Sequence, residues 1–184
     1  MKIGLLAALA GVIVSSPAFA VLLTFSEFPV GTVITTQYEP DGVVFSGLTG
    51  ADPIIADDGA MPTEPVLSPN PPYAGDFQWT FPGGGAEGVS FISGFWDSVG
   101  TAVVEVYDTA GNLLDTLTNA ATGVYTFDLS GYGTIGRVTF NSSADGAGGD
   151  IDNLQFTPVP EPASLMLLAG GLLAFGLIRR RKAA

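Results

Sequence analysis

The chain has 184 residues, of which 18 are acidic and six are basic, for a net charge of −12, and it contains neither histidine nor cysteine. The lack of cysteine excludes disulfides and thiol nucleophiles, and the lack of histidine removes the commonest general base and the commonest transition-metal ligand. An acidic surface repels nucleic acid and attracts divalent cations, so we expect no nucleic-acid partner.

Residues 1–20 have the pattern of a secretory signal peptide. Lys2 supplies the positive start, residues 3–14 are an apolar run, and Ala18 and Ala20 form a small-x-small cleavage site. Cleavage there leaves a mature chain with enough residues for one domain with its own core.

Residues 21–157 are predicted to form one all-β domain. They hold 17 acidic residues and one cation, Arg137, which we expect to pair with a neighbouring acid on a strand face. Phe77, Trp79 and Phe81 alternate with polar residues, as one buried strand face requires. Short strands with glycine-rich turns favour a β-sandwich of jelly-roll type, with an open barrel as the alternative. The predicted strands are 21–28, 42–47, 76–81, 89–96, 101–107, 113–117, 124–129, 135–140 and 152–156.

Residues 48–75 are expected to be a long loop, because they are rich in proline and show little alternation. We interpret the segment either as a flexible surface loop or as a loop that binds a ligand or an ion. Asp57 and Asp58 are candidate ion ligands in it, and Tyr73 is a candidate sugar-binding residue. A tight hairpin turn is predicted at 108–112, where a Gly-Asn pair tolerates positive φ.

A calcium site is predicted where the last strand begins. Residues 145–153 combine carboxylates with glycines, and Ca²⁺ prefers several oxygen ligands on an adaptable backbone. Asp150 and Asp152 should share one strand face, and Glu27 should approach them if the first and last strands are adjacent. The alternative is a polar, glycine-rich turn with solvated carboxylates.

Aromatic residues are candidates for sugar binding, and catalysis finds little support. Tyr132, between two glycines, is predicted to be an exposed sugar-binding residue, whereas Trp79 is expected in the core. Ser-His and Cys-His machinery cannot exist here. Two carboxylates can hydrolyse a glycoside, but no spacing distinguishes one pair from the many acids present. We therefore predict that the protein is not an enzyme and has no certain cofactor, with Ca²⁺ as the candidate ion.

The C-terminal part of the chain has three components in a fixed order. Pro160, Glu161 and Pro162 form a stiff segment, and residues 163–178 are an uncharged apolar run that predicts a single transmembrane helix. Sixteen helical residues rise roughly 24 Å, somewhat less than a hydrocarbon core of about 30 Å. The alternative is a helix buried in a globular core. Four cations follow the run and should remain on the cytoplasmic side: Arg179, Arg180, Arg181 and Lys182.

This order resembles the PEP-CTERM sorting signal of Gram-negative bacteria across residues 159–182, and we assign the C-terminal segment 158–184 to that signal. The resemblance implies export, an inner-membrane intermediate held by the apolar helix, and cleavage by an exosortase near Pro160-Glu161-Pro162. The product would reach the cell surface or the extracellular matrix.

A second resemblance concerns the domain itself. Residues 37–45 and 151–156 are similar to blocks of a domain that recurs in PEP-CTERM exoproteins and is similar to lectin-like jelly rolls. This second resemblance concerns architecture alone, and with the sorting signal it leads us to predict a non-catalytic secreted protein associated with the extracellular polysaccharide matrix. A calcium-dependent carbohydrate-binding module and a glycoside hydrolase are the alternatives.

Overall fold

The structure is a computed structural model that describes residues 19–48, 50–57, 61, 65–70, 75–95, 99–100, 102–141, 149–160 and 171. The chain divides into one unit from Ala18 to Pro160 and a second unit made of Met1–Pro17 and Glu161–Ala184. The predicted signal peptide, apart from its last two residues, the apolar run except for Gly171, and the basic cluster lie outside the described residues. Among the residues that are described, no helix has the length and apolar character needed to cross a bilayer.

The first unit is built from strands, as the alternation of apolar residues predicts. Its described residues also include two short 3-10 helices, Glu39–Asp41 and Ser130–Tyr132. The strands of the described residues are β1 Val21–Leu23, β2 Val44–Gly47, β3 Ala51–Ala56, β4 Val66–Asn70, β5 Asp76–Thr80, β6 Ala86–Phe95, β7 Val103–Tyr107, β8 Leu113–Thr118, β9 Gly123–Asp128, β10 Arg137–Asn141 and β11 Asp150–Pro158.

The strands form two antiparallel sheets, so the all-β prediction is confirmed. One sheet has the order β3-β4-β11-β6-β9, with β1 also paired to β11, and the other has the order β2-β5-β10-β7-β8. From β4 to β7 the chain changes sheet at each strand, and the first and last strands of the unit are neighbours. This arrangement brings the two ends of the folded unit together.

Aromatic side chains from both sheets form the shared core. Phe77 and Trp79 on β5 are fully buried, as their alternation with polar residues predicts. Trp79 packs edge-on against Phe91 of β6, with 5.2 Å between the ring centroids, and so joins one sheet to the other. Burial of each such side chain contributes about 1.5–3 kcal/mol relative to leaving it exposed.

The segment 48–75 is not one long loop, because the structure places β3 and β4 within it. Its prolines occupy positions that strands tolerate. Pro53 lies in β3, the last strand of its sheet in the order given, and Pro69 lies opposite the register shift between Ala51 and Ile54. Neither an edge strand nor a bulge requires every N–H for the ladder, so the prolines do not prevent strand formation.

The first strand is shorter than the predicted 21–28. It ends at Leu23, and Phe25 takes a left-handed backbone conformation with a φ of 56°. The turn directs the Phe25 ring into the core, where its centroid lies 5.7 Å from that of Tyr38 and 5.9 Å from that of Phe45. The chain thus leaves the strand at the turn that carries this buried ring.

Candidate functional site

The last strand leads directly into the predicted sorting segment. Strand β11 pairs with β6 as far as Pro158, beyond the predicted end at residue 156. The next residue, Val159, donates its N–H to the carbonyl oxygen of Gly85 over 2.8 Å. Pro160, the first residue of the predicted cleavage motif, therefore follows a hydrogen-bonded main chain without a free linker. Glu161 and Pro162 lie outside the described residues.

A turn of three glycines, Gly83 to Gly85, packs against this exit. A Cβ atom added to Gly84 would lie within 3.0 Å of the carbonyl oxygens of both Val159 and Pro160. The two stretches of main chain are thus in direct contact, and this contact requires glycine at position 84. Gly42 also packs closely against this exit, since a Cβ added to it would lie 3.1 Å from Cγ of Pro158.

The two aspartates of the predicted calcium site are buried on β11. Asp150 is 3% exposed and Asp152 is 0% exposed. They are two residues apart on one strand, so their side chains leave the same face of the sheet with their Cα atoms roughly 6.6 Å apart. Two ionised carboxylates on one strand face repel each other, and a divalent cation between them would offset that repulsion.

Glu27 does not complete a three-carboxylate group with these aspartates. Its Oε2 accepts a 2.8 Å hydrogen bond from the hydroxyl of Tyr38. Burial of Tyr38, and then this bond to Glu27, raise the pKa of the Tyr38 hydroxyl. Within the described part of the chain, no three acidic side chains come close enough to hold a metal ion. The terminal strands are adjacent, as expected, but the turn at Phe25 intervenes before Glu27 is reached, and residues 142–148 lie outside the description. The calcium site stays a prediction that depends on Asp150 and Asp152.

Tyr132 is less accessible than its flanking glycines predict. Its ring is half-buried against the core, and its hydroxyl donates a 2.5 Å hydrogen bond to Oδ2 of Asp115. This bond lowers the pKa of the Asp115 carboxyl and raises the pKa of the Tyr132 hydroxyl. A sugar would therefore compete with the protein's own contacts for this residue. Tyr73 and Asp58 lie outside the described residues, and Asp57 is exposed.

A polar cluster on the five-stranded sheet was not predicted. The hydroxyl of Tyr107 donates to Oε2 of Glu105 over 2.7 Å, and the hydroxyl of Thr139 donates to the same oxygen over 3.0 Å. Cζ of Arg137 lies 3.9 Å from the centroid of the Tyr107 ring. Arg137 thus stacks on the ring of Tyr107, and the hydroxyl of that ring is bonded to Glu105. The cluster depends on the pairing of β10 with β7, which sequence spacing does not reveal.

A groove of about 350 Å³ lies at the end of this cluster. Its lining includes Arg137, Phe81, Gly83 and the predicted turn at 108–112. The turn forms as predicted, with Gly111 at a φ of 84°. The Asp108 carboxylate accepts bonds from the side chain and main chain of Asn112, which lower the pKa of the Asp108 carboxyl. The carboxylate of Asp108 is thus already hydrogen-bonded within its own turn.

The comparisons with known proteins bear on the C-terminal segment alone. No curated protein matches the chain. One solved structure that matches, the crystal structure of the bacteriophage CBA120 tailspike protein 4 enzymatically active domain, is 16% identical with a TM-score of 0.35. The match covers 71% of this chain and 22% of that chain. A TM-score this low supports no conclusion about the fold or the function of this protein. Residues 158–182 match the model of the PEP-CTERM protein-sorting motif. The chain therefore carries a PEP-CTERM sorting motif, which indicates that the exosortase system sorts this protein.

Proposed function

We propose that this protein is an exported, non-catalytic surface or matrix protein whose C-terminal signal is removed by an exosortase. The motif match at residues 158–182 carries the proposal. The position of the folded unit supports it, because β11 ends at Pro158. Cleavage near Pro160-Glu161-Pro162 would remove no strand, so the released product would keep both sheets.

The route proposed is that of a Gram-negative bacterium. The signal peptide at 1–20 would start export, and the apolar segment 163–178 would hold the chain in the inner membrane with residues 179–182 on the cytoplasmic side. Cleavage would then free the domain for the cell surface or for extracellular polysaccharide. The charge of residues 21–157, 17 acids against one cation, would favour solubility and oppose self-association after release.

The strand order supports a jelly-roll domain. Strands β4 to β11 contribute the orders β4-β11-β6-β9 and β5-β10-β7-β8 to the two sheets, as expected of eight strands wound as two Greek keys. Many unrelated functions use such a fold, so the fold supports an architecture and not an activity. The lack of histidine and cysteine is our reason for proposing a role without catalysis.

The sorting proposal is tested by replacing Pro160, Glu161 and Pro162 with alanine in the native host. The substituted chain should accumulate in the inner membrane with its C-terminus intact, while the unsubstituted protein appears outside the cell and ends near residue 160. Fractionation followed by mass determination of the C-terminus measures both results. Normal release of the substituted chain would contradict the proposal.

A calcium-dependent carbohydrate-binding module is the second candidate. The burial of Asp150 and Asp152 on one strand face favours it, because a divalent cation would offset their repulsion. Glycan-array binding by the released domain should disappear with chelator and return with Ca²⁺. Stabilisation by Ca²⁺ without glycan binding would favour the first proposal. Polysaccharide hydrolysis that is lost when one acid pair is replaced would favour a glycoside hydrolase instead.

A further inference from the structure

The PEP-CTERM motif and the folded unit overlap in sequence. The motif match begins at residue 158, whereas the folded unit continues to Pro160. Pro158 is the last residue of β11 and pairs with Ala86 on β6, and Val159 is hydrogen-bonded to Gly85. The first three residues of the motif, 158–160, are therefore part of the folded domain.

The main chain of Val159 and Pro160 is held against the glycine turn, although Pro160 as a residue is exposed. The N–H of Val159 is used by the carbonyl oxygen of Gly85 at 2.8 Å, and the carbonyl oxygens of Val159 and Pro160 lie against Gly84. Pro160 has no N–H to offer. A protein that binds an extended peptide by strand addition forms hydrogen bonds with the main chain of that peptide. While this segment remains on the glycine turn, Val159 cannot donate its N–H to an enzyme, and the Val159 and Pro160 carbonyl oxygens lie packed against Gly84.

We propose that docking of Val159 and Pro160 on the Gly83–Gly85 turn restrains cleavage of the sorting signal, so that exosortase acts after this short segment detaches. The inference depends on the proposed function, because it assumes that an exosortase cuts next to residue 160. Detachment breaks one main-chain hydrogen bond and leaves both sheets in place. The domain thereby sets the rate at which its own signal is removed.

The test is the rate of C-terminal processing in the exporting host, measured by pulse-chase with mass determination of the product. Gly84→Ala should speed processing by about five-fold, since five-fold corresponds to about 1 kcal/mol, the net contribution of one hydrogen bond. The φ of Gly84 lies outside the left-handed region, so alanine meets the Val159 and Pro160 carbonyls but no backbone strain. Gly131→Ala is the matched control, because its Cβ would meet nothing within 4 Å and its φ is also ordinary.

A second variant tests the inference even if Gly84→Ala does not fold. Insertion of six glycine and serine residues between Val159 and Pro160 keeps the Pro-Glu-Pro sequence but moves it away from the turn. It should speed processing at least as much, and if Gly84→Ala does not fold, the insertion decides alone. Processing at the normal rate or more slowly in the insertion variant would overturn the inference. Absence of cleavage in the unsubstituted protein would instead refute the proposed function, so the two failures are distinguishable.

Discussion

Removal of the Phe91 ring tests whether the two sheets share the core described above. Phe91 is 1% exposed and contacts aromatic rings from both sheets. Its centroid lies 5.2 Å from that of Trp79, 5.0 Å from that of Phe127 and 6.2 Å from that of Phe140. Substitution by alanine should therefore remove buried area and three aromatic contacts in one step.

The expected loss of stability is large for a domain of this size. Phe→Ala in a core costs about 3–5 kcal/mol, and small domains have a total stability of about 5–15 kcal/mol. The three aromatic pairs place Phe91→Ala toward the upper end, since each pair adds about 0.5–1.5 kcal/mol beyond its buried area. The melting temperature of residues 21–160 should fall by about 10–20 °C. Thermal unfolding followed by circular dichroism measures this change.

The control is an apolar residue of similar chemistry that lies outside the core. Leu113 on β8 is 52% exposed, and Leu113→Ala should change the free energy of unfolding by less than about 0.5 kcal/mol. A melting temperature for Phe91→Ala that matches that of Leu113→Ala would refute the shared aromatic core. The packing of β5 against β6 would then need another explanation.

Two further predictions concern the carboxylates. With a Kd of about 10 μM, 1 mM Ca²⁺ should stabilise the chelator-treated domain by about 2.7 kcal/mol. This gain should be lost in Asp150→Asn and Asp152→Asn but kept in the control Asp128→Asn, whose side chain is exposed. An unchanged melting temperature in the unsubstituted domain would refute the calcium site. Tyr132→Phe should raise the pKa of the Asp115 carboxyl toward its ordinary value, because the hydrogen bond that lowers it is removed. In the native protein, the carboxyl of Asp115 has a lower pKa in the folded state than in the unfolded state. It therefore stabilises the fold at a pH above its unfolded pKa, and this stabilisation is lost as the pH falls through its folded pKa. In Tyr132→Phe the two pKa values are closer, so less stability should be lost in acid. Titration by NMR measures the pKa of Asp115, and Asp128, whose pKa is lowered by Ser130, serves as the reference. An unchanged Asp115 pKa would contradict the hydrogen bond from Tyr132.

The sequence predictions succeeded where the pattern lies in neighbouring residues, and failed where the structure depends on contacts between distant strands. Alternation on 76–81 identified a buried face because side chains of a strand point to opposite sides, and Phe77 and Trp79 are indeed fully buried. Strands β3 and β4 were missed because proline usually marks a loop, and its tolerance at an edge or a bulge depends on neighbouring strands. The same limit applies to Phe25, whose left-handed conformation serves contacts with residues distant in sequence.

The candidate sites show the same division. Asp150 and Asp152 were assigned to one strand face by their spacing alone, whereas the hydrogen bond between Glu27 and Tyr38 depends on where the chain turns after β1. Arg137 was singled out as a lone cation, but its place over Tyr107 required the register of β10 against β7.

By itself, the order of residues determined the strand-rich character, the acidic charge and the sorting motif, because composition, alternation and a linear signal are properties of neighbours along the chain. Tertiary structure alone decided that the motif's first residues are held against the Gly83–Gly85 turn. That contact joins residues more than seventy positions apart, and it forms because β11 pairs with β6 and the glycines allow two main chains to touch.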